Sequence, residues 1–296
     1  MLTKLKTNVK SLRWFYLFFI LLVAPSTTMA ESSQPFSIPG TSIYTLKSEK
    51  LERSYDIYVK IPTDYDNPKN TNVTYPVIYL NDGPYTFQVA SGSLHLPMGN
   101  SHKFERAILV GISFAKGEGG MASRVRDLTP HVDKTWKKYK TGGAQAYLNF
   151  IANEVTPFIE NKFRADPTKR TLSGQSLGGS FGAWVLLTRP ELFSNYILTS
   201  PSLWYKNRFI FNLEKTYAAS HKDLKATVYF AVGEKETVTN GIRHPMVSQL
   251  EKFVTALKLR NYPNLKLKVD IIPGALHETT FPQGFIRGSH WIFGLD

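Results

Sequence analysis

Apolar residues along this chain gather in short runs bounded by glycine, proline and asparagine. In "SYDIYVKIP" (54–62), Ile57, Val59 and Ile61 alternate with other residues, the period of a half-buried strand. "YPVIYLNDG" (75–83), "RAILVGISF" (106–114), a run closing at "TLSG" (171–174), "SNYILTSPS" (194–202), "ATVYFAVGE" (226–234) and "LKVDIIPG" (267–274) are nearly continuous instead. Such runs suit strands buried on both faces. Helical patterns lie between several of them. In "AQAYLNFIANEVTPFIENKF" (144–163), Tyr147, Phe150, Ile151, Val155, Phe158 and Ile159 share one face, and Pro157 is expected to kink the helix. "GSFGAWVLLTRP" (179–190) and "PMVSQLEKFVTALKLRN" (245–261) are two more, and a last helix carries His290. Strands alternating with helices predict an α/β fold, with a mostly parallel central sheet and helices on both faces. "DYDNPKNTN" (64–72) reads as a loop. Residues 114–143 fit no period, and a long irregular segment in a compact domain often carries function.

The first thirty residues read differently. Lys4, Lys6, Lys10 and Arg13 precede an unbroken apolar run from Trp14 to Ala24, then Pro25 and the small residues Thr28 and Ala30. This is the pattern of a secretory signal over residues 1–30, and an uncleaved anchor is its rival. Only an uncleaved segment would bring the protein to a membrane. The expected mature domain, 31–296, belongs in the periplasm or outside the cell. It contains no cysteine, which excludes disulfides, thiolate nucleophiles and cysteine-held metals. Of the formal charge of +13, four positives lie in the first thirty residues, leaving about +9. The basic residues are dispersed apart from clusters such as "KTWKKYK" (134–140), and no nucleic-acid motif is present, so they read mainly as a solvated surface.

One short stretch carries chemistry. Gly174-Gln175-Ser176-Leu177-Gly178 has the G-x-S-x-G spacing of a nucleophile elbow. Side chains at 174 or 178 would collide across so sharp a strand-to-helix turn. The turn would present the Ser176 hydroxyl above the sheet, beside the free N–H groups of a helix start. Ser173 and Ser180 read as ordinary turn and helix residues. A serine needs a base. In this kind of sheet the acid and then the histidine follow the serine in sequence. His277 lies past the last predicted strand and a glycine turn. His290 falls in a helix, His221 and His244 near loop or helix ends, and His95, His102 and His131 precede the serine. The acid should follow "ATVYFAVGE", where Glu236 stands three residues after Gly233 and Glu234 is the alternative; a Ser–His dyad is a further one. Two N–H groups should hold the oxyanion. Leu177 is one; Pro84 cannot be the other, which leaves Tyr85 or, alternatively, Gly83.

The stretches "YPVIYLNDG", "VGISF" with "RVRDLTP", "FIENKFRADPTKRTLSGQSLGGSFGAWVLLTRPELFSNYILTSPSLWY", "VYFAVGEKE" and "HETTFP" together resemble the esterase D-type branch of the α/β-hydrolase family. The resemblance is nearest to bacterial esterases that open catecholate siderophore trilactones, and it spans almost the whole mature chain. It implies a serine esterase without metal or other cofactor, with Ser176 as nucleophile and His277 as base. It also implies Ser202 and Trp204 at the mouth of a site for a small ester, though strand-end packing is an alternative role for both. The family draws an oxyanion donor from the residue after "DG", where this chain has proline. Two rivals remain open at this stage: acyl transfer to an alcohol, and a hydrolase fold that binds a ligand without turnover.

Overall fold

The structure, a computed structural model, describes residues 33–95 and 98–295. The segment read as a secretory signal lies outside the described residues. An eight-stranded sheet, ordered β1-β2-β4-β3-β5-β6-β7-β8, is the frame of the unit Ser37–Asp296. β1 (Thr41–Ser48), β2 (Arg53–Lys60) and β4 (Ile108–Ala115) pair antiparallel in that order. From β4 the sheet is parallel through β3 (Tyr75–Leu80), β5 (Ala165–Gln175), β6 (Asn195–Thr199), β7 (Ala226–Gly233) and β8 (Leu265–Ile272).

The continuous apolar runs are explained by helices on both faces. Strand neighbours point to opposite sides. Val77 and Tyr79 of β3 enter one core with Leu172, Leu198 and Phe230. Ile78 and Leu80 enter the other with Ile197, Tyr229, Phe281 and Phe285. The second core lies under α1 (Gly83–Ser93) and α8 (His277–Phe293). The first is covered by α3 (Ala144–Phe150), α4 (Thr156–Lys162), α5 (Leu177–Thr188), α6 (Tyr205–Ser220) and α7 (Met246–Leu259).

Several expectations change in detail. The helix expected over 144–163 is interrupted by a π turn, Ile151–Val155, that ends two residues before Pro157. Proline has no N–H and its ring crowds the preceding turn, and the wider turn accommodates both. The segment 114–143 holds α2 (Gly120–Asp127), pinned by a buried network. There Asp127 accepts from Tyr55 Oη at 3.0 Å, Ser123 Oγ at 2.9 Å and Arg126 Nε at 2.8 Å. "NDG" closes β3 in a turn, as expected, but a helix follows it at once. Asp82 has φ +58° and caps α1, which begins at Gly83.

Candidate active site

The parallel strands all end at one edge, and the residues singled out in the sequence meet there. β5 ends at Gln175, and α5 starts at Leu177, so Ser176 is the entire turn. Its backbone lies at φ +60°, ψ −114°, a region that costs about 1–3 kcal/mol for a residue with a side chain. A Cβ on Gly174 would run into the Gly178 carbonyl, and one on Gly179 would stand 2.8 Å from the Thr199 carbonyl oxygen. At Gly178 the nearest atom would be 3.4 Å away, so the tight approaches are at 174 and 179 rather than 174 and 178.

His277 opens α8 after the left-handed turn at Gly274. Its Nδ1 lies 2.6 Å from Glu236 Oε2. Glu236 is fully buried, and its Oε1 accepts from Ser200 Oγ at 2.5 Å, Gly233 N–H at 2.8 Å and Thr280 Oγ1 at 2.8 Å. Burial pushes this carboxyl up, but the bonds from His277, Ser200 and Gly233 outweigh it and hold Glu236 below the usual carboxylate range. The spacing from the turn glycine has a direct cause. Glu236 N–H donates to the Gly233 carbonyl while its carboxylate takes the Gly233 N–H. Glu234 faces elsewhere: it is exposed and accepts from Gly274 N–H at 2.8 Å.

Ser176 and His277 line one cleft of about 370 Å³, with Asp82, Tyr85, Phe114, Arg124, Gln175 and Glu278 around them. Its size suits a small organic ligand. Ser176 Oγ is 3.3 Å from Ser202 Oγ, and among the described residues it makes no hydrogen bond to His277. Such bonds are commonly long before substrate is bound.

The two options for the second oxyanion donor separate. The Tyr85 N–H is engaged by the Asp82 carbonyl at 2.9 Å, so the expectation of a free Tyr85 amide does not hold. Tyr85 contributes its ring to the cleft instead, against Phe281. The Gly83 and Leu177 N–H groups have no acceptor among the described residues; each is the first residue of its helix. Pro84 is therefore harmless, since the second position of a helix needs no N–H.

Ser202 is buried, and its N–H donates to the Ser176 carbonyl at 3.0 Å. Trp204 lies flat on His244, with ring centres 4.1 Å apart, and parallel to Trp136, 6.3 Å away. It is not part of the cleft wall. Its partners fit the packing alternative better than a lining role.

Arg124 escaped the sequence reading although it lies within "RVRDLTP". From α2 it donates to Asp82 Oδ1 at 2.8 Å and to the Gln175 carbonyl at 3.1 Å. Burial raises the Asp82 carboxyl, and Arg124 offsets part of that rise. Among the described residues, no group of three or more histidines and acids is placed to hold a metal ion.

Residues 48–291 match the family described as "Putative esterase". The chain belongs to this family. The esterase is 32% identical over 201 residues to the ferri-bacillibactin esterase BesA of Bacillus subtilis (strain 168), an overlap of 64% of this chain and 67% of that protein. It is 30% identical over 197 residues to the siderophore triacetylfusarinine C esterase of Aspergillus fumigatus, covering 66% of each. Among solved structures, the BES protein of Bacillus cereus superposes with a TM-score of 0.77 at 29% identity, covering 90% of this chain and 100% of that one. This esterase is thus an α/β-hydrolase acting on ester bonds.

Proposed function

We propose that the esterase works through Ser176, His277 and Glu236 by way of an acyl-enzyme. The observation carrying this reading is that His277, on the wall of the cleft that also holds the strained serine, is bonded at 2.6 Å to the buried, ionised Glu236 behind it. Glu236 accepts the Nδ1–H hydrogen bond and so fixes the tautomer that leaves Nε2 as the acceptor. His277 removes the Ser176 proton as the hydroxyl attacks the ester carbonyl. The N–H groups of Leu177 and Gly83 take the developing oxyanion. The imidazolium then protonates the departing alcohol. Water, activated by the same nitrogen, releases the acid and regenerates the serine.

For the substrate we propose a siderophore-type ester or another small acidic or aromatic ester. The named activities of the two curated relatives support this, as do Arg124 in the cleft wall and the net positive charge of the chain. We place the mature enzyme in the periplasm or outside the cell, on the strength of the first thirty residues. N-terminal sequencing of exported protein should then begin at Glu31.

The decisive test is turnover of a short-chain p-nitrophenyl ester by residues 31–296. Ser176→Ala should abolish both turnover and fluorophosphonate labelling. Unchanged turnover in that variant would overturn the mechanism. Turnover of aryl esters with none of any siderophore ester would remove the siderophore assignment and leave the mechanism standing.

A further inference from the structure

His277 is held at two points, and both lead back to neighbouring residues at the end of β6. Thr199 is the last residue of that strand, and Ser200 follows it at φ +41°. Both are fully buried. Each has one hydroxyl proton to give, and each gives it towards the base by a different route.

The first route reaches the main chain of His277. Gln175 Nε2 donates to the His277 carbonyl at 2.8 Å. A carbonyl only accepts, so the Gln175 amide must turn its nitrogen that way and its oxygen towards Thr199. The Thr199 hydroxyl donates to that oxygen. Gln175 adjoins the nucleophile, so this chain of two bonds ties the start of α8 to the elbow itself. The second route reaches the ring. Ser200 Oγ donates to Glu236 Oε1 at 2.5 Å, and Glu236 Oε2 holds His277 Nδ1. Gly233 and Thr280 also donate to Oε1. Loss of Ser200 would therefore leave the carboxylate charged but one constraint short.

The left-handed backbone at Ser200 is the second observation. A residue continuing the strand would keep the alternation of faces. The turn takes Ser200 out of that alternation, at a conformation that only glycine adopts freely. Strain of this kind persists where surrounding structure demands it.

Building on the proposed Ser176–His277–Glu236 mechanism, we propose that Thr199 and Ser200 are positioning residues for the base. Thr199 sets the main chain of His277 through Gln175, and Ser200 sets its ring through Glu236. Neither touches the reacting atoms.

The design of the test follows from the strain. Ser200→Gly removes the hydroxyl while easing the backbone, so the variant should fold. Thr199→Val removes the other hydroxyl at nearly constant volume, and Thr199→Ser keeps it. Each is compared with wild type and Ser176→Ala by steady-state hydrolysis of p-nitrophenyl butyrate, and each fold is checked by circular dichroism. Displacing a base by a fraction of an ångström should lower kcat about tenfold or more in Ser200→Gly and Thr199→Val, with KM within about twofold. Thr199→Ser should recover most of the loss. The downfield proton resonance of His277 Nδ1–H should shift or broaden in Ser200→Gly. Folded Ser200→Gly and Thr199→Val variants that retain wild-type kcat, beside an inactive Ser176→Ala, would overturn this inference and leave the mechanism standing. A loss in Thr199→Ser equal to that in Thr199→Val would assign the effect to packing and also overturn it. An active Ser176→Ala would bring down the mechanism and the inference together.

Discussion

Glu236 differs from Glu234 by two positions, and the fold separates them completely. One is buried under four hydrogen-bond donors; the other caps a surface turn. Glu236→Gln should therefore lower kcat by about a hundredfold or more, because an amide cannot hold the imidazole in the required tautomer. Glu234→Gln should leave kcat within about twofold, as expected for a solvated residue outside the cleft. The lowered pKa of Glu236 also has a sign for stability. Its folded-state pKa lies below its unfolded value, so its contribution is complete above the ordinary carboxylate range and is lost as pH falls through the lowered value. Urea unfolding across the acid range should show a shallower loss of stability in Glu236→Gln than in wild type. At this scale the sequence was informative wherever a turn glycine fixed the spacing, as at Ser176, Glu236 and His277. Arg124, Gln175 and Ser200 were not legible. Their roles arise from bonds to atoms distant along the chain, and no local pattern encodes them.

At the scale of elements, legibility followed burial. β3, β4, β6 and β7, with the second half of β5, were readable because helices cover both faces and make each an apolar run; β8, an edge strand, is only partly buried and shows its pattern in Leu265, Leu267 and Val269. β1 was not: it is an edge strand, with Ile43 66% exposed, and its alternation is blurred. α1 was hidden because "GPYTFQVASGS" is rich in glycine and serine, yet the helix is fixed by burial of Phe87 and Ala90 against β4 and β3. α2 depends on its buried charges. Asp127→Asn would leave Arg126 and the Tyr55 hydroxyl poorly matched, a change expected to cost about 3 kcal/mol in urea unfolding. Because α2 also presents Arg124 to the cleft, activity should fall with it. On α5, a methyl group at Gly179 would meet the Thr199 carbonyl. Gly179→Ala should destabilise the protein by about 1–3 kcal/mol and pull the elbow out of line. Thermal melts and p-nitrophenyl ester turnover of that variant should decline together.

At the scale of the whole molecule, the sheet brings three separated parts of the sequence to one edge, and the surface carries an excess of positive charge. Attraction of an anionic substrate by that charge is screened within about 10 Å at 0.1 M salt. If the substrate is an acidic ester, kcat/KM should fall as ionic strength rises. A neutral aryl ester should show little change in the same series. The contrast reads the sign of the substrate directly.

The flat contact between Trp204 and His244 gives the protein a fluorophore of its own. Burial, together with Arg243 and Arg208 nearby, holds the His244 imidazole below its usual pKa, so it stays uncharged until the medium is distinctly acidic. An uncharged ring leaves indole emission largely intact; a protonated one quenches it. Emission from Trp204 should therefore dim late in an acid titration, and His244→Gln should remove that step.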